Sequence, residues 1–348
     1  MLSHFRGPIL FAIVCLLLAG WYGYASTGTM AGMVQVLWIV VVLSVLEVSL
    51  SFDNAVVNAT VLKDMDPVWQ KRFLTWGMVI AVYGMYIVFP LAIVAIAAGL
   101  GPIEAARLSL EDPERYEQIV SSAHVGIAAF GGAFLGMVGL KFFFDEEKDI
   151  HWIHAIEERL SRFAAIPALE IAVLLLALWG ISTMLPEHYS HIVLVAGILG
   201  IVCFIAVDGL GTVLKLREQR MMAAGTAVHA GLGGFLYLNV LDASFSFDAV
   251  IGAFALSNNM VVIALGLSIG AMFVRAMTVM LVKKGTLTEY HFLEHGAFWA
   301  ILALSAIMLA SVRFEIPEAV TGLIGALFIG LAIWWSSRHN KQAAAEAG

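Results

Sequence analysis

Apolar residues run along this chain in long blocks, and polar ones are confined mostly to short breaks between them. The blocks lie at about 8–26, 34–62, 73–100, 121–144, 167–186, 190–213, 225–256, 260–283, 295–312 and 317–337, each close to the roughly 20 residues a helix needs to cross the hydrocarbon core. None alternates apolar and polar residues with period 2 over strand length, which argues against a transmembrane barrel. The pattern predicts an all-α polytopic membrane protein of about ten transmembrane helices. One break is longer. Residues 145–162, "DEEKDIHWIHAIEERLSR", set mixed charges at helical spacing and read as a cytoplasmic surface helix, with His151 and His154 a minor candidate for a regulatory metal pair.

Two blocks repeat each other. "LEVSLSFDNA" at 46–55 and "LDASFSFDAV" at 241–250 both place two acids six residues apart, Glu47 and Asp53 in the first, Asp242 and Asp248 in the second. The following blocks align Gly77 with Gly266, and the third ones begin near His124 and His295 and end in "GLKFF" and "SVRFE". Two three-helix repeats result, 34–144 and 225–313. The rest divides into an N-terminal helix (1–33), a cytoplasmic segment with two linking helices (145–224), and a C-terminal helix with its tail (314–348). Equivalent helices stand five apart in order, and an odd separation gives them opposite directions through the bilayer. This is the inverted-topology repeat common among secondary transporters, whose sites lie near the midplane.

Composition agrees: 61% of residues are hydrophobic and 13% charged, against about 25% charged in soluble domains. The net charge of −7 adds little, because placement of Lys and Arg decides orientation. With the N-terminus in the cytoplasm, only Arg107, Arg115 and Arg313 of the 19 Lys and Arg fall outside, and only Arg275 lies deep in a helix. Both termini are therefore expected in the cytoplasm, of a protein in the inner (cytoplasmic) membrane. The first block lacks a clean cleavage site and reads as a retained helix. The acidic outer loop 101–120 reads as a solvated segment. Cys15 and Cys203 sit apart in apolar runs and read as buried hydrophobes. No phosphate-binding G-x-x-x-x-G-K-[ST] is present, nothing points to nucleic acid, and a homo-oligomer is compatible with the pattern.

Four carboxylates inside apolar blocks need compensation. Each costs about 2.5–3.5 kcal/mol at the bilayer centre if unpaired, ~10–14 kcal/mol together. Arg275 can neutralise about one of them, and its repeat equivalent is the uncharged Tyr86. The excess points to protons or a bound cation. On a continuous helix Glu47, Ser51, Asn54 and Asn58 form one polar stripe, and Ser49, Asp53 and Thr60 a second. In the other repeat Asp242 pairs with Ser246 and Asp248 with Ser244. Structural acids that are protonated and hydrogen-bonded are the competing reading, and serines bonded back to their own helix would be uninformative. With the two helices antiparallel, the four acids form a ladder along the membrane normal. Carboxylate, hydroxyl and amide oxygens suit a hard divalent ion such as Mn²⁺, Ca²⁺ or Mg²⁺. His124 and His229 read as packing residues, and Glu170 and Asp208 as carboxylates that reach water. Two intramembrane aspartates also suggest a proteolytic dyad, but the Gly-x-Gly-Asp context is absent, so an enzyme is not expected.

At these residues the chain resembles the TerC family of integral membrane proteins, named for tellurium resistance, and within it a longer branch. Glu47, Ser51, Asp53 and Asn54 match the family's first motif, Asp242 and Asp248 the second, and Arg275 its arginine in the following helix. Two departures stand out: Ala249, Val250 and Ile251 replace the usual Ser-Ile-Pro, and Tyr86 replaces a second arginine. The resemblance implies efflux of Mn²⁺ or a related divalent cation across the cytoplasmic membrane; the oxygen donors admit Ca²⁺ as well, and protons are the expected counter-ion on the buried acids. The metal would be held by Glu47, Asp53, Asn54, Asp242 and Asp248, with Ser49, Ser51, Asn58, Ser244, Ser246, Arg275 and Tyr86 in support. A membrane scaffold in a metal or tellurite stress-resistance complex is the alternative.

Overall fold

The computed structural model describes all residues other than 1, 78, 146–149, 164, 165, 167, 224–230, 255, 315 and 347–348. The described residues form helices and no strand. In chain order these are α1 (Leu2–Thr27), α2 (Met30–Leu50), α3 (Phe52–Leu62), α4 (Pro67–Arg72), two π-helical segments (Phe73–Gly77 and Ile80–Val88), α5 (Phe89–Ala98), α6 (Pro102–Glu111), α7 (Pro113–Ser122), α8 (His124–Phe143) and α9 (His154–Arg162). There follow α10 (Leu169–Ser182), α11 (Glu187–Ala223), α12 (Leu232–Ala253), α13 (Met260–Lys284), α14 (Thr286–Glu289), α15 (Leu293–Ser311) and α16 (Glu318–Glu346).

Seven of these helices are long and apolar enough to cross a membrane: α1, α2, α8, α11, α13, α15 and α16. The chain is a helical membrane protein. The remaining expected spans take other forms. The block 73–100 carries a shorter apolar helix, Tyr83–Ile96, preceded by π-helix, and 167–186 carries the 14-residue α10. The 22-residue α12 holds both Asp242 and Asp248.

Local chemistry explains the element ends. Thr29 starts α2 by accepting the Gly32 N–H at 3.1 Å. Asp112 accepts the Arg115 N–H at 3.2 Å, and Pro113 opens α7. Gly99, at φ 64°, closes α5 in the left-handed region. The expected continuous helix 34–62 is broken. Ser51 sits at φ −100°, ψ 17° between α2 and α3, its N–H still bonded to the Glu47 carbonyl at 3.0 Å. Asp53 then lies in the first turn of α3, where a negative charge suits the helix N-terminus.

The chain divides into two compact units, each taken from several stretches. The first comprises Met1–Ser51, Pro67–His124 and Asn239–Met280; the second comprises Phe52–Asp66, Val125–Leu238 and Leu281–Gly348. In the first, α2 meets α13 at a glycine face. A Cβ on Gly266 would fall 2.6 Å from Leu43 Cβ, and one on Gly270 would fall 2.4 Å from Glu47 Cβ. Lipid supplies no hydrophobic drive for such contacts, so small residues that admit close approach carry them. In the second, Ser305 on α15 donates to the Gly132 carbonyl of α8 at 2.7 Å, and α3 packs against α15 and α16.

Candidate functional site

The first compact unit gathers four buried polar side chains: Glu47 (3% exposed), Tyr86 (1%), Asp242 (6%) and Arg275 (6%). Glu47 projects from the last turn of α2, where the glycines of α13 leave room for it. Its Oε1 accepts from Ser51 Oγ and from the Tyr86 hydroxyl, both at 2.9 Å. Its Oε2 is buried and has no hydrogen-bond partner among the described residues. Asp242, on α12, lies close enough to repel it.

Arg275 is more fully furnished. One guanidinium nitrogen donates to Asp242 Oδ2 at 2.7 Å, the other to the Phe73 carbonyl at 2.8 Å, and the Phe73 ring lies 4.4 Å below. Gly77 completes the seat, since a Cβ there would come within 2.9 Å of the guanidinium. Both π-helical segments contribute, one with Phe73 and Gly77, the other with Tyr86; such departures from α geometry recur at functional sites.

The pairing follows the sequence repeat. Position 47 matches 242 and position 86 matches 275, and each acid is bonded to its own repeat's partner: Glu47 to Tyr86, Asp242 to Arg275. A second matched pair recurs. Ser44 donates to the Gly266 carbonyl at 3.0 Å. Its equivalent Asn239 has Oδ1 3.6 Å from where a Cβ on Gly77, the equivalent of Gly266, would stand.

Other expected site residues fall elsewhere. Asp53, Asn54, Asn58 and Thr60 are buried on α3 in the second unit. The break at Ser51 therefore ends the continuous stripe expected from Glu47 to Asn58; only its first contact, Glu47 with Ser51, forms as i, i+4 geometry predicts. Asp53 Oδ1 accepts the Asn54 N–H at 2.9 Å, and Gly325 of α16 borders Oδ2. Asn54 Oδ1 is buried without a partner among the described residues. Ser49 is exposed and bonds back to the Val45 carbonyl at 2.8 Å, away from the acids. Ser246 and Ser244 also bond back, to the backbone carbonyls of Asp242 (2.7 Å) and Val240 (3.1 Å), where the sequence suggested pairing with the two carboxylates. Asp248 lies on α12, but its side chain, like all of His229, lies outside the described residues. Among the described residues no three His, Cys, Asp or Glu side chains are grouped as a metal would need.

One polar cluster escaped sequence reasoning. Glu157 on α9, expected on a solvated face, is 1% exposed in the second unit. Its carboxylate accepts the Trp152 and Ile153 N–H groups at 3.1 and 3.2 Å and the Trp299 indole N–H at 3.0 Å, and meets His295 Nδ1 at 2.8 Å. The legible signal was His295 and Trp299 at i, i+4 on one face of an apolar helix. Asp208 also has a partner, Lys141 at 2.5 Å, rather than water alone.

A family described as "Protein of unknown function (DUF475)" matches residues 52–343, and the chain belongs to it. No curated protein and no solved structure matches the chain.

Proposed function

We propose that this DUF475 protein is a secondary transporter that exports a hard divalent cation, Mn²⁺ first and Ca²⁺ second, across the cytoplasmic membrane. The reading includes ten spans, two inverted three-helix repeats, and a midplane site of paired acidic residues. One observation carries it: a fully buried carboxylate oxygen, Glu47 Oε2, has no hydrogen-bond partner among the described residues. A buried unpaired acceptor costs about 1–3 kcal/mol, and more when charged. A cation or a proton arriving there offsets that cost. The oxygens around it, a carboxylate, a serine hydroxyl and a phenol, are the hard donors that Mn²⁺, Ca²⁺ and Mg²⁺ accept. Repeat-matched partners for Glu47 and Asp242 support an inverted pair of repeats, and the break between α2 and α3 is the kind of interrupted helix that binding sites in such carriers use. Export rests on the TerC resemblance at Glu47, Ser51, Asp53, Asn54, Asp242, Asp248 and Arg275, and proton exchange on the excess of buried acids over the one buried arginine.

The scaffold reading has its own observation, the Arg275–Asp242 ion pair, which makes one acid a structural group. Flux of Mn²⁺, Ca²⁺, Mg²⁺ and Zn²⁺ into proteoliposomes decides between them. A carrier moves at least one of these ions and stops when Asp53→Asn and Asp248→Asn are combined. A scaffold moves none, and the double variant changes nothing.

A further inference from the structure

The two repeat-matched halves of the buried site are chemically unequal. In the Asp242 half, four features serve a guanidinium: the carboxylate at 2.7 Å, the Phe73 carbonyl at 2.8 Å, the Phe73 ring face at 4.4 Å, and the space that Gly77 leaves. In the Glu47 half the matched position holds Tyr86, which donates one neutral hydrogen bond at 2.9 Å and brings no charge. Ser51 adds a second, to the same oxygen. Both neutral donors converge on Oε1 and leave Oε2 free of any described hydrogen bond. The formal charges of Glu47, Asp242 and Arg275 sum to one negative, and with Arg275 bonded to Asp242 the acid left without an ion pair among the described residues is Glu47.

We infer that Glu47 is the cation-binding carboxylate of this pair, while Asp242 is closed by Arg275, a tethered resident cation, so that Tyr86 is the residue that keeps the Glu47 half open. The inference deepens the transporter reading and rests on it for its biological sense. The ligand is a metal cation held through one carboxylate and neutral hydroxyl oxygens, with Ser51 and Tyr86 as the neutral donors. The Asp242 half reaches it through a carboxylate that Arg275 has already neutralised and through the Ser246 hydroxyl, which is hydrogen-bonded to Tyr86. A charged residue at position 86 would reproduce in the Glu47 half what Arg275 does in the other.

The test measures Mn²⁺ binding to the purified full chain, by loss of the free-ion paramagnetic resonance signal, alongside Mn²⁺ flux in proteoliposomes. Glu47→Gln and Tyr86→Arg are each expected to weaken binding by at least about a hundredfold, since a full unit of charge is removed or neutralised at contact distance. Combined Asp242→Asn and Arg275→Gln, which deletes the resident pair without changing net charge, is expected to weaken it by less than about tenfold. The inference is overturned if the double variant, monodisperse and folded, loses as much as Glu47→Gln, or if Tyr86→Arg binds as the parent does. Should Tyr86→Arg fail to fold, the comparison of Glu47→Gln with the double variant decides alone. Binding in the expected order without flux would sink the transporter reading and leave the inequality of the halves standing. Flux with the reverse order would do the opposite, and a parent that neither binds nor moves Mn²⁺ overturns both.

Discussion

A guanidinium in an apolar core keeps its charge, so the fold must supply a counter-charge and acceptors for it. Arg275 receives both, and the pair is worth more as a pair than either member alone. Arg275→Leu takes the counter-charge away from the buried Asp242, a loss of about 3–5 kcal/mol. The expected result is a clear fall in melting temperature in detergent, largely restored when Asp242→Asn is added. Equal melting of the single and double variants would show that the ion pair contributes nothing beyond packing. Steric constraint at this scale is just as local. Gly270→Ala puts a methyl where Glu47 Cβ already stands at 2.4 Å, with the Ser44 carbonyl at 2.9 Å. Overpacking of that kind costs about 1–3 kcal/mol, so this variant should melt earlier, whereas Gly330→Ala, which meets nothing within 4 Å, should not.

At the scale of elements, α9 is fastened by a single carboxylate. Glu157 gathers two backbone N–H groups at the start of its own helix, an indole and an imidazole on α15, while Phe142 stacks on Phe298 beside them at 3.8 Å. Removing the acceptor strands three part-buried N–H donors and the buried His295, at up to about 1–3 kcal/mol each. Glu157→Ala should therefore speed amide exchange at Trp152, Ile153 and the first turns of α9, and shift the emission of Trp299. Unchanged exchange there would mean that α9 is held by its apolar face alone. The break between α2 and α3 is a second element-scale feature. Leu46, Val48 and Leu50 continue the apolar run, yet Ser51 and Asp53 are residues that favour helix starts, and the helix restarts at Phe52.

For the whole molecule, the number of crossings fixes where the ends lie. Ten spans put both termini on one side of the membrane. Counting only the seven helices that are long and apolar enough would put them on opposite sides. Cysteines at position 4 and position 342 should react with a membrane-impermeant maleimide only after the cytoplasmic side is exposed. Labelling of one end in sealed, right-side-out cells would refute ten crossings. The compact units add a point that spans alone do not contain: each draws on several separate stretches, with 52–66 in the second unit between first-unit stretches, and 239–280 in the first between second-unit stretches.

The sequence by itself determined the class of the protein, the positions of its long apolar helices, and the burial of acids inside them. Hydropathy over 20 residues and a repeat of the same acid spacing are local patterns, and they survive folding. That Arg275 must neutralise one of the acids was likewise legible, since a lone buried arginine must seek a carboxylate; which acid it takes, and the bond between Glu47 and Tyr86, came from the structure. Only the tertiary structure decided the rest. Ser49 turned outward, Ser244 and Ser246 spent their hydroxyls on backbone carbonyls, Asp53 joined a different compact unit from Glu47, and Glu157 went inside. Each depends on which helix faces which. That is set by close packing at glycines and by competition among hydrogen-bond acceptors, and neither leaves a periodic trace in the chain.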